Sequence, residues 1–386
     1  MPTKNDDLGH KAYVFRIYPS SEQKVLLAKT FGCVRWVYNH WLDIRKTAYA
    51  DRKESVSYNK CSQQLTDIKK SEKYSFLKEV DSIALQQALR HLDEAFQSFF
   101  SSQGKGYPKY KSKKENDRSY TTNCVNGNIE LSNGYIKLPK IGKVKIKQHR
   151  KVPDSYILKS VTVKQTPAGK YYVSILFEYE KQVQNKELLS FLGLDYSMHE
   201  LYKDSNGNEP AYPRYYRNAE KQLQREQRKL SHMQKGSSNR NKQRIKVAKL
   251  HEKVANQRKD FLHKLSRQIT NAYDCICIED LNMKAMSRSL RLGKSVSDNG
   301  WGMFTNYLSY KLERAGKKLI RIDPWYPSSK RCSCCGKIRK DLKLDDRIYD
   351  CECGNRMSRD ENAAVNICRE GLRMAGNEMD AERKIS

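Results

Sequence analysis

The sequence contains no long hydrophobic run and comparatively few apolar residues. No stretch approaches the roughly 18 apolar residues that a membrane-spanning helix needs, and hydrophobic residues make up 38% of the 386 positions. The first residues, MPTKNDDLGHKAY, include no apolar block of the kind found in secretory signals. These absences argue against a membrane or secreted protein, so we expect a cytoplasmic protein without a membrane partner.

Acidic residues are also scarce relative to basic ones. Forty-four Asp and Glu oppose 74 Lys and Arg, which gives a formal net charge of +30. Such an excess repels itself in a compact fold, so a nucleic acid is the expected partner. One basic run lies between Arg217 and Arg267, with sixteen Lys or Arg against four Asp or Glu. A second run contains the candidate phosphate ligands Lys109, Lys111, Lys113 and Lys114.

The apolar pattern predicts helices inserted into a β-rich region. KAYVFRIY, residues 11–18, alternates as a strand does, and Ser20 with Gln23 forms a candidate capping box for a helix that follows. A second helix is predicted over about 82–100. From Asn126 to Tyr179, short β-rich runs separated by Asn-Gly, Pro and Gly turns are typical of a small barrel or sandwich.

After residue 188 the pattern changes to alternating strands and helices, and three acidic residues lie at element ends. Asp195 ends the apolar strand FLGLD, Glu279 ends CICIE, and Asp360 opens the last helix. Carboxylates that converge could bind two Mg²⁺ ions and a scissile phosphate. Each acid alone could equally be an ordinary strand-end or helix-dipole residue, so their convergence stays open at this point.

The eleven cysteines do not form an evenly spaced disulfide framework, because five of them fall between Cys332 and Cys353. Cys332 and Cys335 form a CxxC pair, and Cys351 and Cys353 form a CxC pair fifteen residues later. This spacing is in the range of a zinc ribbon, whose four thiolates make a closed structural site. Cys334 could compete with a neighbour as a ligand.

In their order along the chain, these motifs resemble the TnpB (OrfB) proteins of bacterial insertion sequences, relatives of the type V CRISPR effectors. The matching segments are YVFRIYPSSEQ, FGCVRWVYNHWL, YPKYKSKK, FLGLDYS, CIEDLN, PSSKRCSCCG and SRDENAAVNI. The resemblance implies an α/β multidomain protein. Its parts would be a β-barrel wedge domain (1–20 and 104–182), a helical recognition domain (21–103), a RuvC-like, RNase H-type nuclease domain (189–329 and 357–371), an inserted zinc ribbon (330–356) and a C-terminal tail (372–386).

The resemblance also implies an RNA-guided endonuclease that cuts target double-stranded DNA beside a short flanking motif. Asp195, Glu279 and Asp360 would bind two Mg²⁺ ions, with Mn²⁺ as a substitute, and the guide RNA would derive from the element. Cys332, Cys335, Cys351 and Cys353 would bind structural Zn²⁺. Two departures from the family pattern are Ser197, where many members have Gly, and the CxC pair.

Three alternatives remain at this point. The protein could be a guided DNA-binding repressor that does not cut, a transposase or transposase accessory protein, or a zinc-ribbon nucleic-acid-binding protein with no enzymatic role. The presence of all three acids argues against the first alternative, and the order of the motifs argues against the second.

Overall fold

The computed structural model describes residues 8–101, 106–113, 118–181, 187–283, 285–286, 298–343 and 345–385. Backbone contacts divide the chain into two compact units, Met1–Gln182 and Val183–Ser386. None of the helices in these described ranges combines the length and the apolar character that a membrane span requires.

The first unit is built on a seven-stranded antiparallel sheet. Its strands are β1 (Leu8–Tyr18), β2 (Arg118–Asn123), β3 (Glu130–Ser132), β4 (Tyr135–Leu138), β5 (Gly142–Lys147), β6 (Ile157–Gln165) and β7 (Tyr171–Glu180), in the order β2-β6-β7-β1-β5-β4-β3. β1 pairs along most of its length with β7 and near its end with β5. The N-terminal strand therefore lies inside a sheet whose other strands come from residues 118–180.

The barrel predicted for this region is an open sheet in the structure. β2 and β3 occupy the two ends of the hydrogen-bonded order, and no ladder joins them among the described strands. A closed barrel requires the two edge strands to pair with each other. The turn residues in the sequence mark the individual hairpins but do not indicate whether the edge strands pair.

The helices of the first unit are inserted between β1 and β2, as the sequence predicted. They are α1 (Ser21–Arg52), α2 (Tyr58–Ile68), a 3₁₀ helix (Glu72–Lys78) and α3 (Ser82–Phe100). The capping box at the start of α1 is confirmed: Gln23 N donates to Ser20 Oγ at 3.2 Å, and Ser20 N donates to Gln23 Oε1 at 3.0 Å. The Gln23 amide also donates to the Lys143 carbonyl at 2.9 Å, which ties the helix start to β5.

The second unit has a four-stranded sheet in the order β11-β10-β8-β9. Its elements are β8 (Phe191–Ser197), β9 (Leu201–Asp204), α4 (Tyr215–His232), α5 (Ser238–Ala272), β10 (Cys275–Glu279), α6 (Trp301–Glu313), β11 (Lys318–Ile322), β12 (Ile348–Asp350), β13 (Arg356–Ser358) and α7 (Arg359–Ile385). β8, β10 and β11 are parallel, and β9 is antiparallel to β8. β12 and β13 form a separate antiparallel pair beside the cysteines.

The last helix, α7, lies directly on the sheet at two glycines. A Cβ on Gly193 of β8 would meet the Ala364 carbonyl oxygen at 2.1 Å, and a Cβ on Gly371 would meet Cys277 Sγ at 2.1 Å. Only residues without a side chain allow this approach. Cys275 and Cys277 of β10 are both fully buried, in a cluster that includes Ile367 and Ala375 of α7.

α7 continues without a break to Ile385, so the domain boundary expected at residue 371 lies inside a helix. Met374 and Ala375 extend the packed face of α7 beyond that point, because both join the cluster formed by the sheet. The first residues of the expected tail therefore belong to a helix that still packs on the sheet at Met374 and Ala375.

Candidate active site

The three predicted carboxylates lie on neighbouring elements of the second unit. Asp195 is in β8, Glu279 is the last residue of β10, and Asp360 is in the first turn of α7. β8 and β10 are adjacent and parallel, and Ile278 lies opposite Leu194. Asp195 and Glu279 each follow one member of this pair, so both lie at the same edge of the sheet, where α7 begins to pack across the two strands.

The electrostatics of Asp195 show that the three carboxylates lie within interaction range. Desolvation raises the pKa of the Asp195 carboxyl well above its usual range, and the carboxylates of Glu279 and Asp360 raise it further. The Arg359 guanidinium and the Tyr196 backbone N–H oppose this increase. A cluster of like charges favours the binding of a proton or a cation.

The carboxylate oxygens are spread more widely than the ligands of a single ion. Within the described ranges, only four cysteines form a group of three or more such ligand atoms that all lie within 4.8 Å of one another. Three carboxylates that bind two Mg²⁺ ions about 3.5–4 Å apart do not all have to contact the same ion. The donor set also fits, because Mg²⁺ prefers hard oxygen ligands.

Ser328 is a site residue that the sequence reasoning missed. Its side chain is buried, and its hydroxyl donates to Glu279 Oε1 at 2.5 Å. Desolvation raises the pKa of the Glu279 carboxyl, and this hydrogen bond acts in the opposite direction. Ser328 lies in the PSSK segment, which is part of the resemblance to the family, but a serine in a turn has no local pattern that predicts a contact with Glu279.

A buried ion pair connects the strands of this sheet at their other end, where β8, β10 and β11 begin. Asp274, directly before β10, accepts a hydrogen bond from Ser190 Oγ at 2.9 Å, and Lys317 Nζ lies 3.3 Å from its other oxygen. Lys317, directly before β11, also donates to the carbonyls of Thr270 and Tyr273 at 2.9 Å. These bonds connect the starts of β8, β10 and β11, and so they fix the relative positions of the strand ends that carry Asp195 and Glu279.

The predicted zinc ligands form the second cluster of this unit. The Sγ atoms of Cys332, Cys335, Cys351 and Cys353 all lie within 4.8 Å of one another, with separations of 3.6 Å for Cys332–Cys353 and for Cys335–Cys351. Tetrahedral zinc with Zn–S bonds of ~2.3 Å places its sulfurs about 3.8 Å apart. Cys334 is exposed and lies outside this group, although its backbone N–H donates to Cys332 Sγ at 3.4 Å.

Hydrogen bonds favour the thiolate form of Cys332. Desolvation opposes its ionisation, but the backbone N–H groups of Cys335 and Cys334 and the Asn355 amide lower the pKa of Cys332 to about 6. Thiolates are the form that binds zinc, so the donor set and its surroundings fit a structural zinc ion.

The structure separates the candidate lysines of the first unit by role. Lys109 and Lys113 are exposed, whereas Lys114 lies outside the described residues. The Lys111 backbone is held by two hydrogen bonds with the Asn39 side chain, at 2.8 and 2.9 Å, and its ammonium lies 4.2 Å from the centre of the Tyr38 ring. Lys111 therefore fixes this segment to α1, while Lys109 and Lys113 are accessible to phosphates.

In the second unit, the basic run between Arg217 and Arg267 lies on the hairpin formed by α4 and α5. Glu226 of α4 is almost fully buried and accepts hydrogen bonds from Gln243 and Lys246, which lower its pKa to about 2. Most of the other Lys and Arg side chains of this hairpin are exposed or half-buried.

Three family profiles match the chain. The profile described as "Probable transposase" (OrfB_IS605) matches residues 174–290, "Cas12f1-like, TNB domain" matches residues 301–367, and "Helix-turn-helix domain" (HTH_OrfB_IS605) matches residues 9–54. In this structure the last of these regions consists of β1 and α1, a strand followed by one long helix.

Two curated relatives match nearly the whole chain. A Streptomyces pristinaespiralis protein named "Putative RNA-guided DNA endonuclease" is 38% identical over 94% of this chain and 89% of its own length. The Escherichia coli K12 protein named "Putative RNA-guided DNA endonuclease InsQ" is 30% identical over 94% of this chain and 92% of its own length.

The fold also has a counterpart among solved structures. The "Cryo-EM structure of the Cas12f1-sgRNA-target DNA complex" contains a chain that matches with a TM-score of 0.51 and 13% identity, over 94% of this chain and 99% of that one. At this level of identity the likeness concerns the fold.

Proposed function

The chain belongs to the TnpB (OrfB) family, and on that premise we propose that it is an RNA-guided endonuclease that hydrolyses target double-stranded DNA. The observation that carries the proposal is the convergence of three acids that are distant in sequence: Asp195 and Glu279 follow paired residues of adjacent parallel strands, and α7, which begins beside Asp360, packs on both strands. After desolvation, the nearby Glu279 and Asp360 carboxylates raise the pKa of the Asp195 carboxyl further. The names of both relatives, which refer to RNA-guided DNA endonucleases, support the same activity.

The fold is that of compact RuvC-containing effectors with a zinc-ribbon-like domain. In finer detail, we assign the RuvC-like nuclease to residues 189–329 and 357–371 and the zinc ribbon to 330–356. The sheet of the first unit would be the wedge domain, and the helices inserted between β1 and β2 would be the recognition domain. The insertion of these helices into the chain between two strands of one sheet supports this division.

Asp195, Glu279 and Asp360 would hold two Mg²⁺ ions, or Mn²⁺ in their place. When bound, these ions would activate a water molecule and stabilise the oxygen that leaves the scissile phosphate. The protein's own contribution is placement: β8 and β10 fix two of the acids in register, α7 brings the third, and Ser328 orients Glu279. The Asp195 carboxyl, whose pKa is raised well above its usual range, would release its proton as cations bind.

The partners proposed are a guide RNA transcribed from the element and a DNA target beside a short flanking motif. Pairing between RNA and DNA would read the sequence, and the protein would read duplex shape and the flanking motif. The exposed side chains of Lys109, Lys113 and the α4–α5 hairpin would contact phosphates. The thiolate cluster and the nucleic-acid partners are consistent with the cytoplasm as the location.

The experiment has two steps. RNA that copurifies with the protein is sequenced, and its guide segment is then replaced so that it matches a chosen site in a plasmid. We expect Mg²⁺-dependent cleavage at the chosen site. Asp195→Asn, Glu279→Gln and Asp360→Asn should each lower the cleavage rate by at least about a hundredfold, since each removes a charged ligand of the reacting site.

Glu313→Gln is the matched control, because it removes an exposed carboxylate from the end of α6 in the same unit. It should cleave like the wild type. Cleavage that ignores the guide would contradict the guided part of the proposal. Guided binding without cleavage would favour the repressor, and joined strands among the products would favour a transposase.

A further inference from the structure

We propose that the zinc ribbon positions the Glu279 carboxylate through Ser328, so that occupancy of the cysteine cluster controls the affinity of the carboxylate site for divalent cations. Ser328, Asn362 and Asn366 would then be positioning residues for a site that they do not form themselves. The inference rests on the proposed function in one respect, namely that the carboxylates bind divalent cations.

The first link is the hydrogen bond between Ser328 and Glu279. Glu279 is the final residue of β10, and beyond Cβ its side chain could adopt several rotamers at a strand end. The buried Ser328 hydroxyl donates to Oε1 at 2.5 Å and so selects one of them, which leaves the second carboxylate oxygen available as a ligand. A ligand that is already oriented binds a cation with a smaller loss of side-chain entropy.

The second link is a pair of asparagines on α7, the helix that carries Asp360. Asn366 Nδ2 donates to the carbonyls of Ser328 at 2.8 Å and Arg331 at 2.6 Å. Asn362 Nδ2 donates to the same Arg331 carbonyl at 2.7 Å, and its Oδ1 accepts from Ser333 N at 2.9 Å. Both asparagines are almost fully buried, so a shift of the turn would leave their amides unpaired in the interior.

The third link is the first cysteine pair. Cys332 lies between Arg331 and Ser333, the two residues that the asparagines hold. The same turn is closed by the Arg331 N–H, which donates to the Pro327 carbonyl at 2.9 Å, directly before Ser328. A zinc ion that joins Cys332 to the second pair would fix this turn from one side, while α7 fixes it from the other.

The sequence of contacts therefore runs from the cysteine cluster through a turn of six residues to Glu279, and each step is a hydrogen bond or a covalent neighbour. The alternative is a zinc ribbon that only binds nucleic acid. In that case, loss of zinc would weaken nucleic-acid binding and leave the affinity of the carboxylates for cations unchanged.

The test measures Mn²⁺ binding to the full-length protein without added nucleic acid, from the electron paramagnetic resonance signal of free Mn²⁺. We expect Ser328→Ala to weaken binding at the carboxylate site about 2- to 12-fold, because the ion must then order the Glu279 side chain itself. Ser328→Thr keeps the hydroxyl and should stay within about twofold of the wild type. Ser329→Ala, in the same turn but partly exposed, is the matched control and should bind like the wild type.

Zinc content and melting temperature are measured on every variant. A positioning role predicts that Ser328→Ala keeps its zinc and a near-normal melting temperature while Mn²⁺ binding weakens. Cys353→Ser, which removes an exposed thiol of the cluster, should lose zinc and show the same weakening, with no further loss in the Ser328→Ala double variant.

The possible outcomes separate the two proposals. Normal Mn²⁺ affinity in Ser328→Ala, or in a zinc-free Cys353→Ser protein that remains folded, would overturn the positioning role. If the Asp195→Asn variant binds Mn²⁺ as tightly as the wild type does, the carboxylate site is contradicted and, with it, the proposed function.

Discussion

Gly371 lies where α7 passes closest to β10, and we expect Gly371→Ala to destabilise the second unit. A Cβ at this position would lie 2.1 Å from Cys277 Sγ and 2.7 Å from Cys277 Cβ, whereas ordinary contacts begin at 3.4 Å. Relief of this overlap requires α7 to move away from the sheet by about 1 Å, and overpacking of this kind costs about 1–3 kcal/mol.

The change from glycine to alanine also favours the helix by about 1 kcal/mol, so the two effects oppose each other. Because the overlap involves a fully buried strand residue, the steric cost should exceed the helical gain, by up to about 2 kcal/mol. For a unit of this size, such a loss lowers the melting temperature by up to about 8 °C.

The assay is thermal unfolding followed by circular dichroism, with Gly376→Ala as the matched control. Gly376 is an exposed residue of the same helix, and a Cβ there would have no neighbour within 4 Å. Gly376→Ala should therefore raise stability by the helical gain alone. Cys277→Ala should recover part of the loss in Gly371→Ala, because it removes the nearer of the two overlapping atoms.

Equal and favourable shifts in the two glycine variants would refute the close approach of α7 to β10. The consequence would extend to the site, because the same contact sets the height of α7 over the sheet and hence the place of Asp360 beside Asp195.

Three further predictions concern charge, capping and zinc. Burial beside two carboxylates raises the pKa of Asp195, so the folded state keeps a proton that the unfolded chain releases, and stability falls as the pH rises from the unfolded pKa toward the folded one. Asp195→Asn should therefore be more stable than the metal-free wild type at pH 7.5 in thermal unfolding, and the difference should vanish near pH 4. Ser20→Ala should cost about 1 kcal/mol in urea unfolding, since it removes the hydroxyl that accepts from Gln23 N; no loss would contradict the cap. Cys351→Ser should abolish stoichiometric zinc in elemental analysis and lower the cooperativity of unfolding, and retained zinc would exclude this ligand set.

The elements that could be predicted from the sequence are those with a local signal. The start of α1 was predicted from Ser20 and Gln23. The break between α4 and α5 also has a local signal, because it overlaps the glycine- and serine-rich segment KGSSNRN. The placement of Asp195 and Glu279 at strand ends was also predictable, because both follow short apolar runs.

Local patterns could not predict that Asp195 and Glu279 converge, because their convergence depends on the pairing of β8 with β10, about eighty residues apart along the chain. Ser328 was missed for the same reason: its role arises from a hydrogen bond across 49 positions, and a serine in a turn has no distinguishing local pattern. The open sheet of the first unit and the continuation of α7 past residue 371 likewise depend on tertiary packing.

The most direct test of the three-carboxylate site is a structure of the protein with its RNA, a DNA target and Mn²⁺, in which manganese is located by its anomalous scattering. We predict manganese within coordination distance of Asp195, Glu279 and Asp360, beside a phosphate of the DNA. Manganese bound elsewhere, with these three side chains out of reach of one another, would contradict the account.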